Sequence, residues 1–101
     1  MGCRTALHYA AMKGNVTIIK MMESEFQADL GVLNAFGQTL LHAAAELNQP
    51  VSIVYLLSKG FDINSRDNDG ESALHYAAEA GNINALGFLL ADDNCDIEAK
   101  N

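Results

Sequence analysis

Asp62-Ile63-Asn64-Ser65-Arg66-Asp67-Asn68-Asp69-Gly70-Glu71-Ser72-Ala73-Leu74-His75-Tyr76 decides the fold. The run reads as a short strand, a tight turn at Asp67-Asn68-Asp69-Gly70, a return strand and the start of a helix. Gly70 supplies the positive φ that such a turn needs. Ser72 is placed to accept a bond from the unpaired N–H groups of the helix that follows, which makes it the N-cap. The pattern recurs. Phe36-Gly37-Gln38-Thr39-Leu40-Leu41-His42 precedes it, and Arg4-Thr5-Ala6-Leu7-His8-Tyr9-Ala10-Ala11 comes earlier still. The three histidines lie 34 and then 33 residues apart. A fixed period of that length is the signature of stacked supersecondary units.

Each unit contains two helical segments. In the first, Thr5 opens a helix through about Met12, Gly14-Asn15 breaks it, and a second helix runs from about Val16 to Ser24. Its packing residues by spacing are Ile18, Ile19, Met21 and Met22. In the second unit Thr39 caps a helix through about Leu47. Asn48-Gln49 then breaks it, asparagine being the best substitute for glycine in a left-handed conformation. Pro50 opens the next helix, where its missing N–H would be unpaired in any case. Ile53, Val54, Leu56 and Leu57 continue that helix to Gly60. The third unit opens at Ser72, turns at Gly81-Asn82 and runs to Leu90, with Asn94 as the expected cap beyond Asp92 and Asp93. The last residues, 96–101, match 62–67 and form half of another hairpin.

Period, turn, cap, Leu-His pair and alanines together resemble the ankyrin repeat family, over nearly the whole chain. The resemblance implies an all-α ankyrin-repeat solenoid. Three helix-turn-helix units, approximately 1–33, 34–66 and 67–99, are joined by β-hairpin turns in one domain, 1–101. The departures are local. The family's proline after Thr is Ala6, Leu40 and Ala73 here, and Cys3 stands where a turn glycine belongs. One extra residue near Ser24–Gln27, and another near Ala91–Asn94, predict small bulges away from the hairpins. Ile18, Ile19 and Met22 at one end, and Leu86 and Leu90 at the other, read as interior residues. The chain therefore reads as a segment of a longer array, whose uncapped ends are able to self-associate.

Composition bounds the function. Six Lys and Arg stand against 13 Asp and Glu, for a formal net charge of −7. That balance argues against nucleic acid and against an anionic membrane surface, both of which need basic patches. Cys3 and Cys95 lie at opposite ends of the sequence. An internal disulfide is not expected between them, and unpaired thiols suit the cytoplasm or the nucleus.

The histidines are the first candidates for chemistry. A metal requires ligands about 2 Å from one ion, whereas equivalent residues on stacked helices stand about 8–10 Å apart. His8, His42 and His75 are therefore expected to bond Thr or Ser hydroxyls and the neighbouring backbone, tying one repeat to the next. The Thr-x-x-His and Ser-x-x-His spacings imitate a nucleophile–base pair, but threefold recurrence marks a structural element. The carboxylates Asp62, Asp67, Asp69 and Glu71 lack the spacing of an EF-hand loop. No catalytic, cofactor or metal residue is assigned.

What remains is binding. The family resemblance implies a non-catalytic protein-interaction module whose hairpin tips and inner helices form the contact face. Carried over position by position, that face comprises Met12 and Lys13, with Arg4 beside them. It continues through Phe36, Gln38, Glu46 and Leu47 to Asn68, Asp69, Glu71, Glu79 and Ala80. An apolar centre at Phe36, Leu47 and Met12 with an acidic flank implies a protein partner bearing an apolar anchor and basic residues. The alternative is a regulatory array within a larger enzyme or channel, such as a kinase, a palmitoyltransferase or a cation channel.

Overall fold

The structure, a computed structural model, describes residues 6–92. Six helices follow in order: α1 (Ala6–Met12), α2 (Val16–Phe26), α3 (Leu40–Glu46), α4 (Pro50–Ser58), α5 (Ala73–Ala80) and α6 (Ile83–Leu90). The odd-numbered helices form an inner layer in which α1 packs on α3 and α3 on α5. The even-numbered helices form an outer layer in which α2 packs on α4 and α4 on α6. The expected all-α solenoid is the architecture observed. The expected readings at Cys3, Arg4, Thr5, Asn94, Cys95 and residues 96–101 lie outside the described residues.

Small side chains set the inner layer. Ala10, Ala11, Ala43, Ala44, Ala45, Ala73 and Ala77 are all buried, and their size lets neighbouring helices approach closely. The bulk comes from Leu7, Ile19, Leu40, Leu41, Ile53, Leu56 and Leu89. Ser52 is the one hydroxyl among the largest fully buried side chains. It donates to the Ala11 carbonyl at 3.1 Å, so the first and second repeats share a bond in their core.

Breaks between paired helices use left-handed residues. Gly14, Asn48 and Gly81 take φ of 70°, 56° and 71°, as the Gly-Asn pattern predicts. Asn48 also reaches into the next repeat, where its Oδ1 accepts the Ala85 N–H at 3.0 Å. Asn82 reaches back and donates to the Ala45 and Glu46 carbonyls at 2.9 and 2.8 Å. It thereby supplies donors to carbonyls at the end of α3 that the helix itself leaves open.

Three expectations need correction. The stretch around 62–76 contains no strand, nor does any other described segment. Asp62–Ser65 is itself a turn, closed by the Asp62 carbonyl and Ser65 N–H at 3.1 Å. The hairpins are too short for a ladder: each is closed by two backbone bonds between the same pair of ends, Asn34 N–H to Gln38 O with Gly37 N–H to Asn34 O, and Asp67 N–H to Glu71 O with Gly70 N–H to Asp67 O. Second, Ile18 and Met21, read as packing residues, are exposed. A short outer helix can bury only one stripe, here Ile19/Met22 and Ile53/Leu56, whatever apolar letters flank it. Third, the extra residue near Ser24–Gln27 does not form a separate bulge. It lengthens α2 to 11 residues, closed by Gln27 in the left-handed region at φ 55° with its N–H on the Met22 carbonyl.

Replacing Asn82 by Ala removes both donors from the end of α3. We expect a loss of about 1–3 kcal/mol in urea-unfolding free energy, with helical circular dichroism of the folded protein unchanged.

Candidate protein-binding face

The face is built on two equivalent turns. Asn34 Oδ1 accepts the N–H groups of Phe36 and Gln38 at 2.9 and 3.1 Å. Asp67 Oδ1 does the same for Asp69 and Glu71, both at 2.9 Å. These Asx turns hold the tips rigid. The tips also join laterally: Asn68 N–H donates to the Phe36 carbonyl at 3.0 Å, and its side-chain amide donates to the Ala35 carbonyl at 3.2 Å. Gly37 makes that approach possible. At φ +75° a Cβ there would stand 2.3 Å from the Asn68 side-chain oxygen.

Histidines connect the tips to the inner helices. His8 Nε2 donates to the Gln38 carbonyl at 2.8 Å, and His42 Nε2 to the Glu71 carbonyl at 2.9 Å. His42 Nδ1 accepts the Thr39 N–H at 3.0 Å, with the Thr39 hydroxyl 3.0 Å from the same nitrogen. His75 Nδ1 makes the matching pair with Ser72. His42 is therefore held by the hydroxyl, the backbone and the neighbouring repeat, as the spacing predicts, while among the described residues His8 shows the bond to the neighbouring repeat and His75 the bonds to its own cap. With Nε2 donating and Nδ1 accepting, His42 is neutral. Burial lowers its pKa below the ordinary 6.5, and the Glu71 carbonyl and the Asp67 carboxylate offset this only in part.

Tyr76 is the residue that sequence reasoning missed. Its hydroxyl donates to Asp67 Oδ2 and accepts from Gln38 Nε2 at 2.7 Å. Gln38 Oε1 in turn accepts from Asn34 Nδ2 at 2.6 Å. The Tyr76 ring packs edge-on against His42 with centroids 5.3 Å apart. One chain of bonds thus runs from the second turn to the third. Burial and the bond to Asp67 raise the Tyr76 pKa, keeping it a donor. Burial alone would raise Asp67. The Tyr76 hydroxyl and the Glu71 and Asp69 N–H groups outweigh it, and the carboxyl falls below its ordinary 3.8. The signal in the sequence was present: Tyr76 follows the histidine at the position that Ala43 fills one repeat earlier.

Gln38 needs correction as a contact residue. It is 5% exposed, and its carbonyl and both ends of its amide are engaged within the chain. The other expected residues are accessible in differing degree. Phe36 is 53% and Leu47 42% exposed; Lys13, Asn68, Asp69, Glu79 and Ala80 are exposed, and Met12, Glu46 and Glu71 partly so. Glu46, Glu71, Glu79 and Ala80 come together with Gln38 and Tyr76 around one hollow of about 330 Å³. Among the described residues, no cluster of His, Cys, Asp or Glu is arranged to hold a metal ion.

Residues 7–101 match the family model described as ankyrin repeats, three copies. The chain belongs to the ankyrin-repeat family. Ankyrin repeats are protein-interaction modules, generally non-catalytic, and the relatives carry them in different settings. The chain is 33% identical over 95 residues to the human transient receptor potential cation channel subfamily A member 1, covering 93% of this chain and 8% of that protein. It is 29% identical over 103 residues to the E3 ubiquitin-protein ligase KEG of Arabidopsis thaliana, covering 97% and 6%. To the chicken nuclear factor NF-kappa-B p105 subunit it is 26% identical over 98 residues, covering 94% and 10%. This ankyrin-repeat chain thus spans a tenth or less of the length of each of these three relatives. No helix among the described residues is long and apolar enough to cross a membrane.

Two titrations follow from the network. Both His42 and Asp67 have lowered pKa values in the fold, so the unfolded chain binds more protons and stability rises with pH in each window. The His42 contribution is complete above 6.5 and declines as pH falls below it. The Asp67 contribution is complete above 3.8 and declines below that. Urea midpoints measured from pH 8 to pH 3 should fall in both windows. In Tyr76→Phe the lower step should shrink, because Asp67 loses its hydroxyl donor. His42→Ala should cost about 1–3 kcal/mol at neutral pH, because the Thr39 N–H loses its acceptor and the Glu71 carbonyl one of its two donors.

Proposed function

We propose that this ankyrin array binds a protein partner through its hairpin tips and inner helices. The contact residues are Phe36, Leu47 and Met12 as the apolar centre, with Glu46, Glu71, Glu79 and Asp69 as the acidic flank. Lys13, Asn68 and Ala80 complete the surface, and Gln38 serves beneath it as support. The partner presents an apolar anchor beside basic side chains. The convergence of three glutamates around one hollow, in a face whose tips are held rigid, carries this reading. Rigid presentation lowers the ordering cost of association, and the acidic rim attracts a basic partner from solution. The repeat units are taken as 1–33, 34–66 and 67–99, in the cytoplasm or the nucleus.

A second reading is favoured by the short span of the relatives that the chain covers. The array then acts as the regulatory or recognition part of a larger protein, as its similarity to a cation channel and to ubiquitin ligases supports. The chemistry would lie in other parts of that protein.

The test is capture of a partner on the immobilised domain, followed by surface plasmon resonance with variants. Phe36→Ala should weaken binding by more than about 1 kcal/mol, roughly fivefold. Glu79→Lys should mainly slow association and flatten its salt dependence. Thermal midpoints should be unaffected by either change. Parental binding by both variants, with loss of binding from changes on α2, α4 or α6, would overturn the assignment.

A further inference from the structure

The 34- and 33-residue offsets align the solvent side of the three outer helices. Thr17, Lys20 and Ser24 of α2 correspond to Val51, Val54 and Ser58 of α4, and to Asn84, Gly87 and Ala91 at α6. Every one of these positions is exposed. This row is buried nowhere along the array, so it is not a stacking surface. Yet α4 and α6 contain no charged residue at all, in a chain of net charge −7. Val51 is 64% exposed, Val54 48%, Ile83 79% and Phe88 48%. Exposed apolar surface that is contiguous in this way marks a contact surface.

Gly87 adds a second, independent observation. Glycine inside a helix is destabilising relative to alanine. Nothing in the chain exploits its missing side chain, because a Cβ at Gly87 would meet no atom within 4 Å. Instead Ile83, Asn84, Gly87, Phe88 and Ala91 line an open hollow of about 350 Å³. The knob that fits such a hole stands one repeat away at the equivalent position, as Val54.

We infer that the α4–α6 surface is the contact between two copies of this chain. A two-fold axis running between α4 and α6, and along them, lays α4 of each copy parallel over α6 of the other. Val54 of each then enters the hollow at Gly87 of its mate. An isologous contact requires one patch to carry both a feature and its complement, and this patch does. Charge selects the same occupant. A charged partner finds nothing to pair with on α4 or α6, while a second copy presents an equally uncharged surface and keeps the two acidic inner faces apart. Stacking of array ends is a different contact. It would use Tyr9 and Ile18, whose counterparts in the second repeat, Ala43 and Ser52, are buried against the first.

Sedimentation equilibrium from about 1 to about 300 µM tests the inference, a span that detects dissociation constants down to weak dimers. The parent chain should shift from monomer to twice its mass. Val54→Glu and Gly87→Gln should each raise the dissociation constant at least tenfold with thermal midpoints near that of the parent. Tyr9→Glu/Ile18→Glu should dimerise as the parent does. Should Val54→Glu fail to fold, Gly87→Gln alone decides, since its site is open. A monomer throughout the range overturns the inference. So does a dimer that survives at Val54 and Gly87 but is lost at Tyr9 and Ile18.

Discussion

A histidine N–H that reaches into the backbone of the next repeat is the interaction on which the other features rest. His8 and His42 each hold the residue that closes the following turn, through the Gln38 and Glu71 carbonyls. Each bond is made within the inner layer, where water cannot replace it. Each carbonyl also accepts the N–H that closes its own turn, so the histidine bond and the turn closure meet on one atom. The His42 imidazole is also fixed at its other nitrogen by the cap of its own helix. Helix start, hairpin and repeat stacking therefore cannot be adjusted separately. This explains how such short helices, 7–11 residues long, persist: below about 12–15 residues an isolated helix is marginal in water.

The proposed binding face inherits its rigidity from that coupling. Phe36 and Asp69 sit on turns that Asn34 and Asp67 close with side-chain oxygens, and Asn68 ties one tip to the other. Tyr76 adds a bond that spans the second and third repeats through Gln38 and Asp67. Its position links the floor of the acidic hollow to the turn beside it. A carboxylate at position 67, rather than the amide found at 34, is what lets this turn accept a tyrosine hydroxyl as well as two backbone donors.

Much of this was legible in the sequence because its causes are local. Thr39, Ser72 and the histidines three residues later announce the caps. Gly14, Asn48 and Gly81 announce the helix breaks, and the period sets which residues stack. The strands were misread because the same turn residues that start a hairpin also close isolated turns, and the number of backbone rungs depends on tertiary spacing. The outer-helix core was misread in part because Ile18 and Met21 satisfy an apolar pattern that burial does not follow. Gln38 was misassigned for a related reason. A polar residue at a tip looks available until the repeat on either side is in place, and here His8 and Tyr76 take it from both sides.

The acidic balance of the chain then acquires a location. Glu46, Glu71 and Glu79 gather on the inner side, while α4 and α6 on the outer side carry no charge. Like charges drawn together around one hollow repel one another. A basic side chain entering the hollow would relieve the repulsion as well as form new pairs. The free-energy gain from such a partner is therefore larger than any single exposed ion pair, which contributes about 0–1 kcal/mol. Nothing comparable is available on the outer face, where association must come from apolar area and fit. The two sides of this thin array are thus suited to different occupants, and a change of ionic strength separates them. Salt should weaken the proposed contacts on the glutamate side by screening and leave those proposed for the apolar side intact.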